Sequence, residues 1–217
     1  MLVYHFLDAR YGLKGIRERR LKISEVSKLN DPFEFLAAET VDEARRRKLV
    51  EFKDGFFQGK GLICFSRNWR NPVQWSHYAD RHRGLCLGFD IRPDLLMQVS
   101  YVASRFPWPE IPEPWPDAVG KQFITQLLTT KFAHWSYEDE FRFFMSRTTI
   151  EPDGLAYIDF SEHIKLSEVL IGARCDLAEA DVSAALGEHS ASVAIHKVRE
   201  AFRSFEVVRV GEDERIY

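Results

Sequence analysis

The chain has 217 residues, with 30 Lys and Arg against 33 Asp and Glu and a formal net charge of -3, so it can bury a sizeable core and shows no global electrostatic attraction for nucleic acid. Its three cysteines, Cys64, Cys86 and Cys175, are odd in number, far apart and set in apolar surroundings, which suits a reducing compartment better than a disulfide framework or a metal cluster. No apolar stretch approaches membrane length and no cationic leader precedes an apolar run, so a cytoplasmic protein with no membrane partner is expected; export by a route without a cleaved signal, into another cell, leaves the same sequence.

Leu2-Val3-Tyr4-His5-Phe6-Leu7 reads as a first strand, and Asp8 is placed to cap a helix that carries Leu13 and Ile16 inward and ends on Arg17-Glu18-Arg19-Arg20. A strand histidine such as His5 is most often a satisfied sheet residue, yet its ring nitrogens also suit a ligand hydroxyl. Leu21 to Ser24 is a short strand. Asn30-Asp31-Pro32-Phe33-Glu34 is turn chemistry, with Phe33 expected to pin the loop to the core. From Val41 to Phe52 a polar helix carries Arg45-Arg46-Arg47-Lys48 on a solvated face.

Gly61 to Ser66 has the composition of a buried strand. After it, Asn71 and Pro72 sit at N-cap and first-turn positions of a short helix bearing Trp75, Ser76, His77, Tyr78 and Ala79, which stops at Gly84. Leu85 to Asp90 returns as a second buried strand. Core packing is the first reading of Trp75, whereas the Tyr78 hydroxyl demands a polar partner even if its ring is buried. Residues 107 to 116, with five prolines and two tryptophans, form an extended loop, either a lid over a site or a proline-rich ligand; tryptophans of this kind ask to be buried against the domain itself. A helix with a wide apolar face is predicted over Asp117 to Phe132.

The next stretch, His134-Trp135-Ser136-Tyr137-Glu138-Asp139-Glu140-Phe141-Arg142-Phe143-Phe144, reads as a half-buried strand in which Glu138, Glu140 and Arg142 share one face. Further strands are expected at Leu155 to Phe160, Val169 to Gly172, Val193 to Ile195 and Phe205 to Val210, with a helix from Leu177 to Leu186. The alternation gives a mixed α+β fold in a single domain over residues 1–217. The chain lacks a Walker loop, a Gly-rich dinucleotide fingerprint and the familiar zinc spacings, so P-loop hydrolysis, Rossmann redox chemistry and a metal site are disfavoured. A strand histidine, an aromatic helix and paired carboxylates suit the stabilisation of a sugar cation.

The blocks Tyr4-His5-Phe6, Asn30 to Glu34, Cys64-Phe65-Ser66, Trp75 to Ala79 and Trp135-Ser136-Tyr137-Glu138-x-Glu140-x-Arg142 resemble those of a bacterial domain-of-unknown-function family. More distantly, His5, Phe65-Ser66, Ser76 with Tyr78, and Glu138-x-Glu140 resemble, in order, the elements of His-Tyr-Glu-type ADP-ribosyltransferases. That resemblance implies a split, mixed β-sheet with flanking helices and NAD as substrate, without a metal. It implies Tyr4, His5, Phe65, Ser66, Ser76 and Tyr78 as NAD-binding residues, with His5 orienting the nicotinamide-side ribose and Tyr78 stacking on nicotinamide. Glu140 would be the deeper, principal catalytic carboxylate, held ionised by Arg142, and Glu138 the more mobile one that orients a macromolecular acceptor, protein or nucleic acid. Ser76 and Tyr78 stand one residue apart where that family has two. The expected activity is an NAD-dependent ADP-ribosyltransferase or glycohydrolase serving as a toxin, effector or defence factor, phage defence included. Its rivals are a non-catalytic nucleotide- or RNA-binding module and a structural domain whose motif residues form a buried polar network.

Overall fold

The computed structural model describes residues 1–110 and 114–212. Strand β1 (Leu2–Leu7) leads directly into α1 (Ala9–Glu18), because the Asp8 carboxylate accepts from the Tyr11 amide at 2.9 Å and satisfies the first helical turn. Strand β2 (Arg20–Ile23) follows, then α2 (Glu43–Phe56) and β3 (Lys60–Ser66). Asn71 caps the Val73 amide at 2.9 Å and Pro72 opens α3 (Pro72–Tyr78). The chain then passes through three successive left-handed residues, Asp80, Arg81 and His82, and re-enters the sheet at Gly84. Any Cβ at Gly84 would lie 2.1 Å from the Leu7 carbonyl oxygen, so only glycine fits between the helix end and β1.

The remaining elements are β4 (Leu85–Ile91), β5 (Met97–Gln98), β6 (Ser100–Val102), α4 (Asp117–Thr129), β7 (Thr130–Phe132), β8 (Glu140–Ser146), β9 (Ala156–Asp159), β10 (Ile164–Ile171), α5 (Glu179–Leu186), β11 (Ala194–Glu200) and β12 (Val207–Arg209). Eight strands form one mixed sheet in the order β12-β11-β10-β4-β1-β3-β8-β5, in which only β10 and β11 run parallel. Helices and strands thus assemble as one α+β domain. On one face Val3, Leu85, Leu87, Phe89, Phe65 and Phe141 pack with Ile16 of α1 and Val182 of α5. On the other, Tyr4, Phe6 and Cys86 pack with Trp75 of α3, whose indole N–H donates to the Trp69 carbonyl at 2.6 Å.

Register places a row of chemistry across five strands on that second face. Glu168 pairs Gly88, Gly88 pairs Tyr4, Tyr4 pairs Ser66, and Ser66 pairs Glu140. Directly paired residues project to the same side, so the row carries Glu168, Tyr4, Ser66 and Glu140 together. Whereas β1 pairs β4 along six residues, it meets β3 at Tyr4↔Ser66 alone. Beyond that pair the two strands part, and the gap opens a cavity.

Four expectations change. Phe33 is 61% exposed, and Phe35 is the aromatic that anchors the loop, with its ring 4.6 Å from Phe57. Phe35 adopts φ 62°, a left-handed backbone that costs a β-substituted residue energy and here turns Glu34 toward the interior. The helix ends at Thr129, because the next residues pair as β7 with β6. Glu138 does not share a strand with Glu140: a 3-10 helix spans Ala133–Glu138 and left-handed Asp139 separates it from β8. The described part of the proline-rich loop does not line the cavity: Trp108 and Trp115 pack with Phe123 on α4, and residues 111–113, Pro112 included, lie outside the described residues.

Candidate functional site

The cavity where β1 and β3 part encloses about 280 Å³ and is lined by residues from β1, β3, α3, β7, β8, the segment around Asn30 and the end of the 3-10 helix at Glu138. Its floor is ionic. The Lys131 ammonium lies 2.6 Å from Glu138 Oε2, 3.1 Å from Glu34 Oε1 and 3.3 Å from Glu140 Oε2. Arg142, fully buried, sets its Nε 2.9 Å from Glu140 Oε1 and its Nη2 2.7 Å from Glu34 Oε2 and 3.2 Å from Glu140 Oε2, and donates Nη1 to the Leu128 carbonyl at 2.8 Å. Its guanidinium also stacks over Phe35 at 4.9 Å. Three carboxylates thus face two cations, leaving one negative charge against a low-dielectric wall.

The two glutamates of the acidic stretch differ in how they are held. Burial alone would raise Glu140, but Arg142 and Lys131 outweigh it and bring its pKa down to about 2. Glu140 receives Arg142 at both oxygens and Lys131 at one. Three of its four lone-pair directions are therefore occupied. Among the described residues, Glu138 accepts only from the Tyr78 hydroxyl, at 2.5 Å to Oε1, and from Lys131, at 2.6 Å to Oε2. Burial raises its pKa by more than Lys131 lowers it. It retains acceptor capacity and faces the cavity.

The neighbouring groups are fixed with equal care. The His5 ring bonds the Cys64 carbonyl through Nδ1 at 2.8 Å, which requires a proton on Nδ1. Burial lowers the His5 pKa, so the neutral ring offers Nε2 as an acceptor. The Tyr78 hydroxyl accepts from the Asn30 amide at 3.0 Å, and its pKa is raised by burial and by Glu138. Gln74 of α3 reaches the Ser66 hydroxyl at 3.0 Å and the Tyr137 carbonyl at 2.9 Å, tying the aromatic segment before Glu138 to the helix. Burial drives the Cys64 thiol well above its ordinary value, which removes it as a nucleophile.

Of the residues singled out in the sequence, Tyr4, His5, Phe65, Ser66, Tyr78, Glu138 and Glu140 all line the cavity. Phe65 does so mainly from its strand position, because its ring packs in the opposite core against Phe89. Ser76 is apart: it is exposed, donates to the Pro72 carbonyl at 2.9 Å and faces His82, on the outer side of α3. Glu138, expected to be the mobile carboxylate, is buried and held from two sides. Lys131, Glu34, Gln74 and Asn30 were not singled out as site residues. The lysine had a signal, a lone cation at the end of an otherwise apolar segment beside the β-branched pair Thr129-Thr130, which favours a strand.

No family model, no curated protein and no solved structure matches the chain. No helix among the described residues is long and apolar enough to cross a membrane. What the cavity does follows from its own chemistry.

Proposed function

We propose that the cavity takes the nicotinamide-ribose end of NAD+ and breaks the bond between ribose C1 and the nicotinamide nitrogen, passing ADP-ribose to an acceptor or to water. The observation that carries this reading is that His5, Tyr78, Glu138 and Glu140, from four separate elements, meet at one cavity beside an uncompensated negative charge. A leaving pyridinium needs no general acid, because the bonding pair departs onto nitrogen and neutralises it. What the reaction needs is a fixed negative charge near the cationic sugar.

The roles expected of the two glutamates are exchanged in this proposal. Glu138, with open acceptor capacity, receives a ribose hydroxyl and faces the developing cation, then takes the proton of the attacking oxygen. Glu140, engaged by Arg142 at both oxygens and by Lys131, positions Lys131 and through it Glu138. His5 Nε2 accepts from a second ribose hydroxyl. The volume suits the ribosyl-pyridinium end, and Lys28, which lines the cavity and pairs with Glu25 at 2.9 Å, is the cation we assign to the diphosphate. The test is release of nicotinamide from NAD+ by the purified protein, followed by chromatography. Release supports cleavage; NAD+ binding without release makes the chain a nucleotide-binding module instead.

A further inference from the structure

A second cavity, of about 310 Å³, has Glu34 and Lys131 in common with the first and is otherwise lined by different residues. Its walls carry Phe33, 61% exposed, and Phe132, 47% exposed, together with Trp135 and Arg105. Tyr11, Phe202 and Phe205 are also exposed but line neither cavity, whereas these rings cluster in one concavity, which marks a binding surface. Each flat ring here already has a cation over it or a ring beside it. Arg105 stands 5.7 Å above Phe33, Lys131 stands 4.9 Å above Trp135, and Phe132 lies 4.5 Å from the His134 ring.

Exposed aromatic faces interleaved with an exposed arginine are the arrangement that stacks a nucleobase and holds its phosphate. Arg105 pairs with no carboxylate among the described residues, so its charge is available to an anion. An apolar peptide side chain would use the rings and leave that charge idle. We propose that the second cavity is an acceptor subsite for a nucleotide, its base stacked on Phe33 and its phosphate on Arg105. The role as acceptor rests on the cleavage reading above: Lys131, common to both cavities, lies 2.6 Å from Glu138, so the acceptor would approach the first cavity along that lysine. The binding itself does not depend on cleavage.

The experiment titrates the full chain into fluorescently labelled short single-stranded RNA and DNA and reads anisotropy, without NAD+, with unlabelled nucleoside monophosphates as competitors. Phe33→Ala and Arg105→Ala, both at exposed positions outside the first cavity, are titrated in parallel and assayed for nicotinamide release. The expected result is binding by the parent protein that weakens about tenfold in either variant, with nicotinamide release unchanged. Full competition by monophosphates makes a free nucleotide the source; binding that only strands sustain makes it an unpaired nucleotide of a chain. Binding without any nicotinamide release refutes cleavage and keeps the subsite. No binding, binding equal in parent and variants, or loss in Phe33→Ala of ADP-ribose transfer to a protein instead overturns the proposal.

Discussion

The row of paired residues across the sheet ends in a buried carboxylate on each side, and the two are treated differently. At one end Glu168 accepts from the Tyr4 hydroxyl at 2.9 Å on one oxygen and from Arg209 at 2.7 Å on the other, and Gly88 makes the room, since a Cβ there would meet Glu168 Cγ at 2.6 Å. One carboxylate meets one cation, and Glu168 lines none of the cavities described above. At the other end three carboxylates share two cations and all three line the cavity. Both ends obey the rule that buried charge is paired and hydrogen-bonded. The difference is the leftover charge and the leftover acceptor capacity, and on the proposed reading these separate a group that holds the fold from one that would hold a ligand.

The comparison breaks most visibly at the arginines. Arg142→Leu strips two buried carboxylates of their guanidinium and is expected to destabilise by about 3–5 kcal/mol. Arg209→Leu removes a side chain that is one-third exposed and is expected to cost about 1 kcal/mol. Urea unfolding of both variants measures this, and equal losses would erase the distinction between the two ends.

Within the charged end, the glutamates sharpen it. Glu140→Gln is expected to lower stability by about 2–4 kcal/mol, because Arg142 and Lys131 lose the carboxylate that compensates them. Glu138→Gln is expected to leave stability within about 1 kcal/mol and to slow nicotinamide release by about a hundredfold or more. A calorimetric melt beside the release assay separates these outcomes; a Glu138→Gln protein that melts like Glu140→Gln would make Glu138 one more structural member.

The same pair gives opposite responses to acid. Glu138 has a folded pKa raised above its unfolded value, so its protonation favours the folded state as pH falls. Glu140 has a depressed folded pKa, so its contribution is present above the ordinary carboxylate range and is lost as pH falls toward about 2. Nicotinamide release should therefore fade on acidification while circular dichroism still reports a native fold. Loss of both signals in one step would contradict the assignment. The smallest effect is expected from Tyr78→Phe, which removes one donor to Glu138. It should slow release severalfold and move the acid limb of the pH profile to higher pH, whereas an unshifted limb would detach Glu138 from that limb.

Much of this was legible in the sequence where local chemistry decides. The caps Asp8 and Asn71, the stop at Gly84 and the strands around Cys64 and Leu87 follow from side chains acting on their own backbone. The convergence of His5, Tyr78, Glu138 and Glu140 was approached through a motif pattern. Its wiring was not, because it depends on register: Ser66 stands opposite both Tyr4 and Glu140, a relation among three distant segments that no local period encodes. Lys131 was hidden because the apolar face of α4 runs up to it without interruption, and only the pairing of Thr130 with Ser100 ends the helix there. The Phe33 and Phe35 exchange turns on one left-handed residue, a conformation that a phenylalanine gives no local reason to expect.

The most direct measurement is the rate of nicotinamide release from NAD+ by the parent protein and by Glu138→Gln at matched thermal stability. The account predicts steady release by the parent and loss of about two orders of magnitude or more in the variant, with NAD+ binding kept. Release by Glu138→Gln at the parental rate, or none from the parent at any pH where it is folded, would contradict it.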